Sequence, residues 1–192
     1  MKQALGDIAE IRNGYPFRGR ISDDPAGDIA VLTIKDIAPG EIQAHEGLMR
    51  IQASDLNNLE RYLLQEGDVI FQSRGFRHGA IVVAEPMQAI AAQGLYQIRP
   101  DSSDVLGGYL AWYLNHENCQ RQLLNTAQGT RIQLIPRREL TSLHIAVPPM
   151  DVQNQILRLT RLRQQQRQAQ AALDEATDQL IAGVCWQKTT EE

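Results

Sequence analysis

Apolar residues in the first 149 positions fall into short runs rich in β-branched side chains, punctuated by Gly, Pro and Asp. The runs Ile29 to Ile34, Val69 to Phe71, Ala80 to Ala84, Ala89 to Ile98 and Leu143 to Val147 have the length and composition of buried strands. VIFQ and AIVV flank SRGFRHG, in which Gly75 and Gly79 permit a hairpin-like excursion between two buried strands. That excursion displays Ser73, Arg74, Phe76, Arg77 and His78 together. The period then changes: Leu106, Leu110, Tyr113 and Leu114 recur at helical spacing, and Leu123 and Leu124 follow a break near Asn115. This predicts a helical hairpin or bent helix covering one face of the sheet.

After Pro148 and Pro149 the pattern becomes a narrow stripe. Val152, Ile156, Leu159, Leu162, Gln166, Ala169, Leu173, Ala176 and Leu180 follow one another at steps of three or four, and the remaining positions are mainly Gln, Arg, Asp and Glu. Asp151 suits an N-cap and Gly183 a left-handed C-terminal stop. The helix predicted between them, Asp151 to Ala182, is about 48 Å long at about 1.5 Å per residue. An isolated helix with so thin a stripe is marginal in water, so the seam is expected to lie against another helix. The alternative is that it folds back on its own domain. The predicted class is α+β: a globular mixed domain over 1–149, a spacer and dimerisation helix over 150–183, and a C-terminal tail over 184–192.

Composition narrows the function. With 43% apolar and 5% aromatic residues, no long apolar run and no leader-like start, the chain is expected to be cytoplasmic, with no membrane partner. Cys119 and Cys185 are far apart in sequence, so neither a disulfide framework nor a metal site is expected. The net charge of −4 is unevenly spread. Residues 1–66 hold 7 Lys+Arg against 11 Asp+Glu, residues 67–167 hold 11 against 7, and residues 168–192 hold 1 against 5. Every base in the cationic middle is arginine, whose planar fork suits guanine edges and phosphates but equally suits surface ion pairs. No nucleophile constellation accompanies it. His45, His78, His116 and His144 are scattered, no glycine-rich cofactor loop follows a strand, and Asp23 and Asp24 occupy a turn-like stretch.

Four stretches carry a resemblance: LGDIAEIRNGYPF, IAVLTIKDI, LLQEGDVIFQSRG and GTRIQLIPRRELTSLHIAVPPMDVQNQI. In this order and spacing the chain, from Leu5 to about Ile181, resembles one target-recognition half of the specificity subunit of type I restriction-modification systems. Gly129, Thr130, Leu140, Leu143, Ile145, Pro148, Pro149, Gln153 and Ile156 fit the family's turn, strand, Pro-Pro and helix-start pattern. The resemblance implies that each half reads a few base pairs of a split double-stranded DNA target. Long helices paired antiparallel act as ruler and docking surface, and separate methyltransferase subunits supply the chemistry. It implies no catalytic residues and no cofactor in this chain, and an indirect link to the restriction and translocase subunit. Family members join two such halves; this chain supplies one, so a homodimer or a heterodimer with another half-subunit is expected. The alternative function is a coiled-coil assembly adaptor, or a degenerate half-subunit that binds the methyltransferase without reading DNA.

The candidate DNA contacts come from side-chain chemistry. Arg74 and Arg77, with Gln128, Thr130, Arg131, Gln133, Arg137 and Arg138, combine donors able to meet base edges or phosphates, and Gln72 and His78 join them more weakly. Asn13, Tyr15, Arg18 and Arg20 form a third polar-aromatic loop. Each has a plainer role open to it: Arg74 paired with Asp68, Arg137 and Arg138 solvating a helical turn after Pro136, Phe76 in the core. Gly67 and Asp68 are expected to serve the turn before a strand, and Gln153 to pack or bond at the helix start.

Overall fold

The computed structural model describes residues 1–37, 47–101, 103–127 and 133–190. The chain divides into two compact units, Met1–Gln153 and Asn154–Glu192. The first contains β1 (Lys2–Ala4), α1 (Leu5–Ile8), β2 (Ala9–Asn13), β3 (Ile29–Leu32), β4 (Met49–Ile51), β5 (Val69–Gln72), β6 (Ala80–Val82), β7 (Ala89–Ala91), β8 (Leu95–Pro100), α2 (Gly107–Asn115), α3 (Glu117–Thr126), α4 (Arg137–Thr141) and β9 (His144–Ala146). A single helix, α5 (Met150–Thr190), completes the chain.

The β-branched runs form two sheets. One has the order β2-β8-β5-β6, antiparallel throughout. The other has the order β4-β3-β7, with β3 antiparallel to β4 and parallel to β7. A short pair, β1 with β9, ties the N-terminus to the strand before α5. Ala30, Leu32, Ala89 and Ala91 of one sheet share a core with Ile70, Ile81 and Leu95 of the other. On the opposite side of β3, Ile29 and Val31 pack with Ile51, Ile90 and the rings of Tyr15, Phe17 and Tyr62. With both faces covered, β3 reads as a continuous apolar run rather than an alternation.

The run Ala89 to Ile98 proves to be two strands in different sheets. Gly94, at φ +91°, makes the left-handed turn between them. The helical segment breaks as expected: α2 ends at Asn115 and α3 starts after His116, whose side chain accepts from the Asn118 amide. α2 packs on β5 and β6. Asn115 pairs its amide with the main chain of Ala80, accepting at 2.9 Å and donating at 2.7 Å, and so satisfies part of the edge of β6.

Asp68 does serve its turn, accepting from the Gln65 amide at 2.7 Å. It also holds the buried Gln97 amide and both arms of Arg99 at 2.7 and 2.8 Å, so its ion-pair partner is Arg99 and not Arg74. Gln153 is fully buried: its Oε1 accepts from the Leu106 amide, and its Nε2 donates to the carbonyls of Asp104 and Pro148.

Two expectations for the last helix are corrected. α5 begins at Met150, which places Asp151 inside the first turn; there its carboxylate still complements the unpaired amides at the helix start. Gly183 does not end it, has no positive φ, and is followed by helix as far as Thr190. A helical glycine costs about 1 kcal/mol relative to alanine, which a helix rich in Gln, Arg, Leu and Ala absorbs. The seam is exposed from Leu159 onward, with Leu159, Leu162, Leu173 and Leu180 at 67%, 53%, 60% and 68%, while Val152 and Ile156 at its start are half-buried. Among the described residues no helix is long and apolar enough to cross a membrane.

Candidate nucleic-acid interface

The turn at Gln93 and Gly94 is the hub on which loops distant in sequence meet. The Gly94 carbonyl accepts from both the amide and the hydroxyl of Ser73, at 3.0 and 2.8 Å, which fixes the start of the loop between β5 and β6. Gly75, at φ +122°, then donates to the Gln133 carbonyl at 3.0 Å. The Ile135 amide donates back to the Ser73 carbonyl at 2.9 Å, and Arg74 and Leu134 form an antiparallel bridge. Tyr96 closes the seam from below, its hydroxyl donating to the Ile135 carbonyl at 3.0 Å. On the other side the Gly14 amide donates to Leu95 at 2.9 Å and the Tyr15 amide to Ala91 at 2.7 Å. Gly14 must be glycine there, since a Cβ would lie 2.2 Å from the Ala92 carbonyl oxygen.

These main-chain bonds bring the three polar loops of the sequence to one place. Asn13, Pro16, Arg74, Gln93 and Leu134 line a concavity of about 530 Å³. Arg74 is exposed and forms no ion pair with another described residue, on a loop held by main-chain hydrogen bonds. Arg18 lines an adjoining hollow of about 370 Å³ with Tyr15, Phe17, Tyr62, Asn57 and Asn58. Arg20 is exposed. Arg77 is exposed beside a third hollow of about 220 Å³, with Phe76, Asn115 and Gln120. Phe76 is 77% exposed, displayed by its loop and not taking the alternative role in the core, because the loop that carries it turns outward at Gly75.

The arginines after Pro136 differ from one another. Arg137 is exposed, with one arm 3.4 Å from the Ile11 carbonyl, while Arg138, its side chain 90% exposed, reaches its neighbour Glu139 at 3.1 Å. Gln133 is half-buried and contributes its carbonyl to the Gly75 contact. Gln128, Thr130 and Arg131 lie outside the described residues.

Gln72 and His78 are corrections. Both are buried: the Gln72 side-chain amide donates to the Arg74 carbonyl at 2.8 Å, and His78 Nδ1 lies 3.0 Å from the Gln72 carbonyl. They brace the loop from beneath and do not face solvent. Burial holds the His78 pKa below its ordinary value, and its Nε2 has no partner among the described residues. Residue type says nothing about burial, which is why both passed as contacts. Gln93 was missed for the opposite reason, being hidden inside an apolar run. The Gln-Gly pair interrupting Ala89 to Ile98 was the available signal. The arrangement is a surface of hydrogen-bond donors and cations, without a cluster of His, Cys, Asp or Glu that could hold a metal among the described residues.

Comparison with known proteins bears on the fold and the family. No curated protein matches the chain significantly. Among solved structures it is similar to a chain from work on complex assembly and conformational transition of the type I R-M system, at 19% identity and TM-score 0.65 over 94% of this chain and 43% of that one. The HsdS subunit from Thermoanaerobacter tengcongensis is similar at 18% identity and TM-score 0.61, over 92% of this chain and 39% of that one. The type I restriction-modification S subunit from M. genitalium is similar at 15% and 0.60, over 94% and 43%. The chain thus spans less than half the length of each of these relatives, and at these identities they establish the fold. The family profile for the type I restriction modification DNA specificity domain matches residues 1–169, and the chain belongs to that family.

Proposed function

We propose that the chain is a non-catalytic DNA-recognition half-subunit of a type I restriction-modification system, cytoplasmic, reading one part of a bipartite target. Residues 1–149 form the recognition domain and the helix from residue 150 the spacer and pairing element, while methyltransferase subunits docked on the assembly carry out the chemistry. The restriction and translocase subunit joins indirectly. One observation carries the reading: in a chain of this family, main-chain bonds converge three polar loops on a single concavity lined by the exposed Arg74. Loops held in this way present their side chains at little ordering cost, which favours hydrogen bonds that discriminate bases.

The test is target selection with the methyltransferase present, followed by binding measurements. Arg74→Ala and Gln93→Ala are expected to weaken binding of the selected site by about five- to 150-fold each, with random-site binding nearly unchanged. Arg77→Ala and Arg138→Ala are expected to weaken all sequences alike and to lower the salt slope by about one per lost phosphate contact. Equal losses on selected and random DNA for all four would reduce the concavity to a phosphate-binding surface.

A further inference from the structure

Phe76 stands out of the fold at the tip of the loop between β5 and β6. Apart from the terminal Met1, no large apolar side chain described in residues 1–149 is as exposed, and of the others only Ile34 and Leu124 are exposed at all. The loop is fastened on both sides of the ring. The Gln72 amide donates to the Gly79 carbonyl at 2.8 Å, the Gly75 amide to the Gln133 carbonyl at 3.0 Å, and the Gln120 side chain to the His78 carbonyl at 2.7 Å. Gly75 suits no other residue: a Cβ there would lie 2.8 Å from the Gln72 side-chain nitrogen, at a φ of +122°. The fold thus holds a phenyl ring in water, where apolar surface is unfavourable. Its surroundings are cationic. Residues 13–20, 72–80, 93–94 and 133–138 hold Arg18, Arg20, Arg74, Arg77, Arg137 and Arg138 and no Asp or Glu. Arg74 and Arg77, both exposed, flank the ring in sequence and form no ion pair with another described residue. An apolar tip between cations matches a polymer that is anionic outside and stacked within.

We propose that Phe76 is a wedge that enters between two stacked base pairs of the target, with Arg77 on an adjoining phosphate, and so reads the deformability of one base step. The proposal rests on the DNA-recognition reading above and adds a contact that uses no hydrogen bond. Apolar side chains inserted between base pairs unstack them and kink the duplex. How readily a step opens depends on its sequence: pyrimidine–purine steps such as TA and CA yield most easily, so a wedge selects them without touching a base edge. A loop held by main-chain bonds suits this, because little ordering remains to be done when the ring enters the stack. Contact with one thymine methyl is the other way a phenylalanine meets DNA. At 77% exposure Phe76 offers far more surface than one methyl covers.

The test uses the full chain with the methyltransferase present. Site selection by the parent is expected to return a pyrimidine–purine step at one position of the half-site. Phe76→Ala is expected to lower the preference for that step by about fivefold or more and to leave the other positions as they were. Phe76→Leu, still a wedge, is expected to keep it. Both variants should unfold at the same denaturant concentration as the parent, since neither removes a buried group. 2-Aminopurine in place of adenine at the step is quenched while stacked. Its fluorescence is expected to rise severalfold when the parent binds at saturation and to stay low with Phe76→Ala; any opening made by the methyltransferase is common to both. Deoxyuridine in place of thymine at the step should change nothing. Three results would each overturn the wedge: Phe76→Ala selecting and brightening the site as the parent does, a loss reproduced by deoxyuridine, or a loss of methyltransferase binding measured without DNA. A parent that selects its site without the fluorescence rise defeats this proposal alone, and a parent that selects no DNA defeats the recognition reading and the wedge with it.

Discussion

Arg74 and His78 sit four residues apart on one loop and do opposite jobs, one exposed above it and one buried beneath. Under the proposed function the exposed residue serves recognition, and the buried one is expected to make stability depend on pH. Burial disfavours the imidazolium, so the folded-state pKa of His78 lies below its ordinary 6.5. The unfolded chain takes up this proton first on acidification. Stability tied to the group is complete above about pH 6.5 and declines as pH falls through that value toward the folded-state pKa. Lowering the pH from about 7.5 to about 5 is therefore expected to reduce the melting temperature of the parent more than that of His78→Gln, which has nothing to titrate there. Equal declines would remove His78 from the account. The pair also shows what residue type conveys: Arg74 and Gln72 look alike as donors in the sequence, yet only one reaches solvent.

Among the elements, short strands were legible where they lie within an apolar run and obscure where charged residues interrupt it. β3, β5, β6 and β9 coincide with the core of predicted apolar runs. β2, reading AEIRN, and β4, reading MRI, were passed over because their outward residues are charged. The junction of elements was less legible still, since nothing local in Ala89 to Ile98 shows that its two ends enter different sheets. Gly14 tests that junction. Gly14→Ala must displace the Ala92 carbonyl and is expected to cost about 2 kcal/mol, read by denaturant unfolding, and to weaken DNA binding by moving the Asn13 loop. A variant as stable as the parent would show that the approach of the two backbones is slack. At the start of α5, Gln153 satisfies three main-chain groups at once. Gln153→Ala leaves them buried and unpaired, and a loss of about 2–3 kcal/mol is expected.

For the whole molecule, α5 sets the distance between two reading domains if it pairs as proposed. It spans 41 residues, about 62 Å at about 1.5 Å per residue. Inserting seven residues beside Gln168 keeps the stripe in phase and lengthens the paired rod by about 10 Å, equivalent to about three base pairs. Site selection with the insert is expected to return the same half-sites with a spacer longer by about three base pairs; an unchanged spacer would end the ruler model. A dimer of identical chains should select an inverted repeat, because a twofold axis presents the same loops to both half-sites.

The amino-acid sequence by itself determined the period of each segment, the change from strands to one long helix, the charge blocks and the ordered motifs of the family, since all of these are set by neighbours within a few turns or strand lengths. It determined that α5 carries an apolar stripe flanked by polar faces. Only the tertiary structure decided that the loops at residues 13–18, 73–78 and 133–135 meet at the Gly94 turn, that Gln72 and His78 lie beneath while Gln93 stands at the rim, and that helix runs past Gly183. Those outcomes rest on hydrogen bonds between residues far apart in sequence, and on a balance of helix propensity over many turns, which no single position reveals.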